Sequence, residues 1–148
     1  MPDKLSRRQF VEKSAVAGTA LGFAPFAKQS SPSLQPKPLR VGIVGTGRRG
    51  HSLMRTMLKI PAVTVAALCD IDAANLQKVQ NTLVTSGHPR ADEYSENQYS
   101  YKKLMERDDL DAVIIATPWD WHTPMAVYAM KQGKYVAVEV PAAITLEN

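Results

Sequence analysis

Arg40 to Asp70 reads RVGIVGTGRRGHSLMRTMLKIPAVTVAALCD, and this stretch decides the fold. Val41, Ile43 and Val44 form an apolar strand, and Gly45-Thr46-Gly47-Arg48-Arg49-Gly50 fits G-x-G-x-x-G. Leu53, Met54, Met57 and Leu58 fall on one face of a helix that stops at Ile60-Pro61. Val63 to Leu68 is a second strand, and Asp70 lies at its carboxyl end, 20 residues after Gly50. Each part has a physical task. Gly45 allows a tight turn, Gly47 lets backbone approach a pyrophosphate, and Gly50 lets the helix pack close to the strand. The helix N-terminus offers unpaired N–H groups and the positive end of its dipole to phosphates. Asp70 is placed to accept hydrogen bonds from the adenosine ribose. A glycine turn without a ligand is the plainer reading, but strand, turn, helix and acid spacing agree on a dinucleotide site. A carboxylate at Asp70 repels a 2′-phosphate, and Ile71 and Asp72 bring no arginine to receive one, so NAD is expected rather than NADP.

Strand and helix alternate through the rest of the chain. Asp72 is an N-cap for a helix with Leu76, Val79 and Leu83 on one face, ended by Ser86-Gly87-His88-Pro89. Arg90 to Glu96 reads as a polar loop, Tyr101 to Arg107 as a short helix, and Asp108, Asp109 and Asp111 as a solvated turn. Ala112 to Ala116 is a continuous apolar strand. Thr123-Pro124 starts a helix, with Thr as cap, Ala126, Val127, Ala129 and Met130 as its buried face, and Gly133 as its stop. Tyr135 to Val138 is a further buried strand. The pattern predicts an α/β, doubly wound parallel sheet. Thr145 to Asn148 reads as the first turn of another helix, so the chain is expected to be the N-terminal part of a longer protein.

The chain has 148 residues and a net charge of +4. Residues 1–38 hold six Lys/Arg against Asp3 and Glu12, whereas the following 110 residues hold 12 charges of each sign. The basic balance therefore belongs to the leader and predicts no nucleic-acid partner. Cys69 is the only cysteine, which rules out an internal disulfide. No apolar run reaches the roughly 18 residues of a membrane span, so no stable membrane anchor is expected. His51 and His88 lack metal-ligand spacing, and no metal is assigned. Ser6-Arg7-Arg8-Gln9-Phe10, followed by the Ala- and Gly-rich run Ser14 to Ala27, resembles a twin-arginine signal peptide, with Gln29 to Pro38 as spacer. This predicts a leader over 1–38, a nucleotide-binding domain over 39–148, the twin-arginine export machinery as partner, and a periplasmic or secreted location. A folded protein exported by that route carries its cofactor with it.

Three segments together resemble the Gfo/Idh/MocA oxidoreductase family: Val41 to Gly47, Asp111 to Pro118 with His122 following, and Ala137 to Pro141. The resemblance covers 39–148 and implies a Rossmann domain followed, beyond this chain, by an α/β domain that binds a sugar or polyol. Most dehydrogenases of the family carry Glu-Lys-Pro where this chain has Glu139-Val140-Pro141, and that lysine assists proton transfer at the substrate hydroxyl. Valine transfers no proton. Gly47-Arg48-Arg49-Gly50, Trp119-Asp120-Trp121-His122 and Glu139 to Ala143 look instead like the glycoside hydrolase family 109 branch, NAD-dependent glycosidases typified by α-N-acetylgalactosaminidase. The resemblance implies cofactor contacts at Arg48, Arg49, Asp70, the Trp119–His122 segment, Glu139 and Val140, beside the glycines Gly45, Gly47 and Gly50. It implies oxidation of the sugar at C3, elimination of the aglycone, addition of water and re-reduction, with NAD regenerated in each cycle. The expected partner is a small-molecule sugar or glycoside; a homo-oligomer stays open. The catalytic residues are expected in the second domain, with His122 the one candidate in this chain. Two alternatives stand: a sugar or polyol dehydrogenase of the same family using NAD or NADP, and a non-catalytic nucleotide-binding fragment.

Overall fold

A computed structural model describes residues 37–145. Residues 1–36 of the leader read over 1–38, and the last three residues of the final predicted turn, lie outside the described residues. Strand β1 (Leu39–Val44) leads through the glycine turn into α1 (Arg48–Met57), followed by β2 (Val63–Cys69) and α2 (Ala73–Thr85). Then come β3 (Asp92–Tyr94), α3 (Tyr101–Met105), β4 (Ala112–Ile115), a 3-10 turn (Trp119–Trp121), α4 (His122–Lys131) and β5 (Tyr135–Val138). The five strands lie in the order β3-β2-β1-β4-β5, all parallel. Strand order reverses at β1, so its carboxyl end is the switch point where open α/β sheets bind ligands.

Side-chain alternation along the strands supplies two cores. Ile43, Val65 and Leu68 face Met54 of α1 and Leu76, Val79 and Leu83 of α2. Val44, Cys69, Val113 and Ile115 face Leu104 and Met105 of α3 and Met125 and Ala129 of α4. Helices on both faces make the sheet doubly wound, as the alternation of elements predicts. The register of β1 with β2 slips between Val41 and Gly42, where Val41 pairs with Val65 but Gly42 pairs with Ala67. Gly42 has a local reason: a Cβ there would stand 2.7 Å from Cδ2 of Leu104.

Several expectations need correction. The polar segment 90–96 contains β3, a three-residue edge strand whose exposed Asp92 and Glu93 gave it no apolar signature. It is held from behind by the buried Gln80, whose side chain donates to Ala91 O (2.7 Å) and accepts from Ala91 N (3.1 Å). The helix expected from Thr123 begins at His122 after the 3-10 turn, and the Thr123 hydroxyl donates to Ala142 O (2.8 Å) instead of capping. Its buried face is His122, Met125, Ala126 and Ala129, whereas Val127 and Met130 are exposed. The helix ends as read, with Gly133 at φ +72° and Lys134 N–H bonded to Ala129 O. Strand β5 is the sheet edge and is not buried; Tyr135 is 79% exposed. Asp109 and Asp111 are more than a solvated turn. Asp111 Oδ2 accepts from Arg40 N (2.7 Å), and Asp109 pairs with Arg40 (2.6 Å) and Arg107 (2.8 Å), tying the start of β1 to the approach to β4.

Candidate cofactor site

The glycine turn is built by close backbone approach. Gly45 has φ +85° and its N–H bonds Cys69 O (2.8 Å); a Cβ there would stand 2.6 Å from Ala116 O. A Cβ on Gly50 would overlap the carbonyl oxygen of Gly45, so only glycine lets α1 seat against the turn. Gly47 differs. A Cβ there would meet nothing nearer than Asn75 Nδ2 at 3.9 Å, and the residue borders open space. That space is a cleft of about 410 Å3 across the carboxyl ends of the strands. Gly45, Gly47 and Asp70 line it, and Gly47 is the N-cap of α1, so the N-terminus of that helix borders the cleft.

Asp70 is held in place by the turn it serves. Its Oδ2 accepts from Thr46 N (2.6 Å) and Thr46 Oγ1 (2.9 Å), and Oδ1 accepts from Asp72 N (2.9 Å). A carboxylate has about four acceptor sites, so three donors fix its plane and leave room for a further donor from the cleft. Asp72 caps α2 as read, accepting from Ala74 N (2.8 Å). Beside Asp70 the wall continues through Ile71 and Asn75, then across to Asn97, Gln98, Tyr101 and Trp121. This half lies toward β2 and β3. Trp121 meets Tyr99 and Tyr101 edge to face, with ring centroids 6.1 and 6.2 Å apart. Cys69 also lines the cleft, but burial, then the neighbouring Asp70 carboxylate, pushes its thiol up to about 12.

The remaining sequence candidates fall outside this lining. Trp119 is 61% exposed and Val140 80% exposed, so Trp121 alone of the two tryptophans walls the cleft. Arg49 and Glu139 form an ion pair at 2.8 Å, joining the first turn of α1 to the end of β5. Arg48 points elsewhere, into a polar groove on α1 with His51, Arg55 and Lys59. His122 is buried, with Nδ1 2.8 Å from Pro141 O and Nε2 2.9 Å from Thr117 O. Both ring nitrogens are thus taken by backbone, which corrects the expectation that His122 is free to act on substrate. The sequence reading missed Thr46, Asn75, Asn97, Gln98 and Tyr101. Thr46 sits at a variable position of the glycine motif, and Asn97 and Gln98 sit in a loop with no periodicity to mark them.

A glycine turn open at Gly47, an acid fixed at the end of β2 and a helix N-terminus over one cleft fit a dinucleotide. The family model described as "Oxidoreductase family, NAD-binding Rossmann fold" matches residues 39–148. A glycosyl hydrolase family 109 protein of Saccharopolyspora erythraea is 36% identical over 97% of this chain, and one of Solibacter usitatus is 42% identical over 99%. The chain spans 35% of the length of each. Scyllo-inositol dehydrogenase from Lactobacillus casei, solved with NAD(H) and scyllo-inositol, superposes with a TM-score of 0.62 at 27% identity, covering 75% of this chain and 30% of that one. The chain belongs to the Gfo/Idh/MocA oxidoreductase family, of which it forms the NAD-binding Rossmann domain.

Proposed function

We propose that the intact protein is an exported NAD-dependent glycosidase that cleaves an α-linked N-acetylgalactosaminide. The observation that carries this reading is the triplet Glu139-Val140-Pro141, which puts valine where dehydrogenases of the family use a proton-transferring lysine. The similarity to glycosyl hydrolase family 109 proteins supports it. Bound NAD would supply a hydride acceptor for the sugar C3–H and, once reduced, the hydride for re-reduction. This chain's residues hold it. Asp70 would accept from the adenosine ribose, with Ile71 and Trp121 among the walls that would enclose the adenosine half. Gly47 and the α1 N-terminus would take the pyrophosphate on the turn shaped by Gly45 and Gly50, and Arg49, paired with Glu139, would balance its charge. His122 supports the site through the Thr117 and Pro141 carbonyls. Acid and base for C2 deprotonation and aglycone departure come from outside this domain.

The test is turnover of an α-N-acetylgalactosaminide in D2O. Elimination followed by addition leaves deuterium at C2 of the released sugar with no net NADH. Release without deuterium at C2 rejects the mechanism, and one NADH per turnover moves the protein to the dehydrogenase reading, which the likeness to scyllo-inositol dehydrogenase favours. Export is tested separately. Replacing Arg7 and Arg8 by Lys should hold the precursor in the cytoplasm, measured by fractionation; unchanged export rejects the twin-arginine route.

A further inference from the structure

His122 is 1% exposed, yet it is bonded at both ends. Nδ1 lies 2.8 Å from Pro141 O and Nε2 lies 2.9 Å from Thr117 O. A carbonyl oxygen only accepts, and a neutral imidazole has one donor and one acceptor nitrogen. A neutral ring donates to one of the two carbonyls, and its N–H can sit on either nitrogen. The two carbonyls belong to different loops. Thr117 follows β4 and lines the cofactor cleft. Pro141 follows β5, two residues after Glu139, the partner of Arg49 on the first turn of α1. Next to the ring, the Thr123 hydroxyl donates to Ala142 O (2.8 Å), so α4 begins with two consecutive side chains holding the same segment.

We propose that His122 is a positioning residue, a buried ring set between Thr117 O and Pro141 O that staples the loop after β4 to the loop after β5, with Thr123 as the second tie. The staple fixes Glu139, and through it Arg49, relative to the glycine turn. The inference rests on the NAD-binding reading for its consequence but not for its geometry.

The staple is read by NMR of the intact protein with histidine selectively labelled with nitrogen-15. The expected result is a ring N–H protected from exchange with solvent, assigned by its absence in His122→Gln. A His122 N–H that exchanges as fast as that of a solvent-exposed histidine overturns the staple, whether or not NAD binds. The positioning role is read from NAD affinity by calorimetry. His122→Gln, which keeps one donor, should raise the Kd for NAD about ten-fold, the weight of one buried hydrogen bond. Thr123→Val, a milder change that should fold even where His122→Gln does not, should raise it by about two- to three-fold, as a neutral bond at a partly exposed site would. Wild-type affinity in the folded Thr123→Val variant, or in folded His122→Gln, overturns the positioning role.

Discussion

Gly50 shows how one missing methyl group holds a site together. A side chain there collides with the Gly45 carbonyl, which is backbone and cannot swing away. Gly50→Ala should therefore cost about 3 kcal/mol of stability, the upper range for overpacking, and loosen NAD binding with it, both measurable by urea titration with and without cofactor. Gly47→Ala meets open space and should leave stability within about 0.5 kcal/mol of wild type, so any loss there is read in NAD affinity alone. Cys69 makes a second residue-scale prediction. Burial raises its thiol from 9.0 to about 12. The folded chain should resist iodoacetamide at pH 8 and react in urea; fast alkylation of the native state would contradict the burial. The unfolded thiol ionises from about pH 9 while the folded one holds its proton to about 12, so this group's contribution to stability is present below pH 9 and is lost as pH rises from there to about 12.

At the scale of elements, α3 is only five residues long and is held by packing rather than by propensity. Leu104 is fully buried, and its Cδ2 occupies the space a Gly42 side chain would need. Leu104→Ala should cost about 2–5 kcal/mol. Gly42→Ala in that background should cost less than it does alone, a coupling that a double-mutant cycle by thermal or urea unfolding would measure. A different tie acts at the other end of the sheet, where hydrogen bonds from Arg107 and then Arg40 hold the Asp109 carboxyl well below its ordinary 3.8. Its contribution is complete above that ordinary value and is lost as pH falls below it. Because both partners are partly exposed, Asp109→Asn should cost no more than about 1 kcal/mol near neutral pH, with the difference shrinking in 1 M salt.

For the molecule as a whole, the β5 side of the sheet carries exposed apolar groups: Val127 and Met130 on α4, Tyr135 on β5, and Val140 and Ile144 after it. The 148-residue chain on its own should self-associate through this face, and Tyr135→Lys should reduce association in light scattering while leaving the helix content unchanged. The sequence by itself determined the strand–turn–helix–strand–acid unit and the doubly wound class, because these rest on short-range rules. Hydrophobic period, glycine at positive φ and the cap at Asp72 need only neighbours in the chain. It also marked Asp70, since a motif spacing carries that residue's task. Only the tertiary structure decided that β3 exists, that β5 is an exposed edge and that Trp121 rather than Trp119 walls the cleft. It also joined Arg49 to Glu139 and tied both His122 nitrogens to backbone from two loops. Those outcomes depend on which distant segments meet, and a residue's type and spacing hold no record of a partner 19 or 90 positions away.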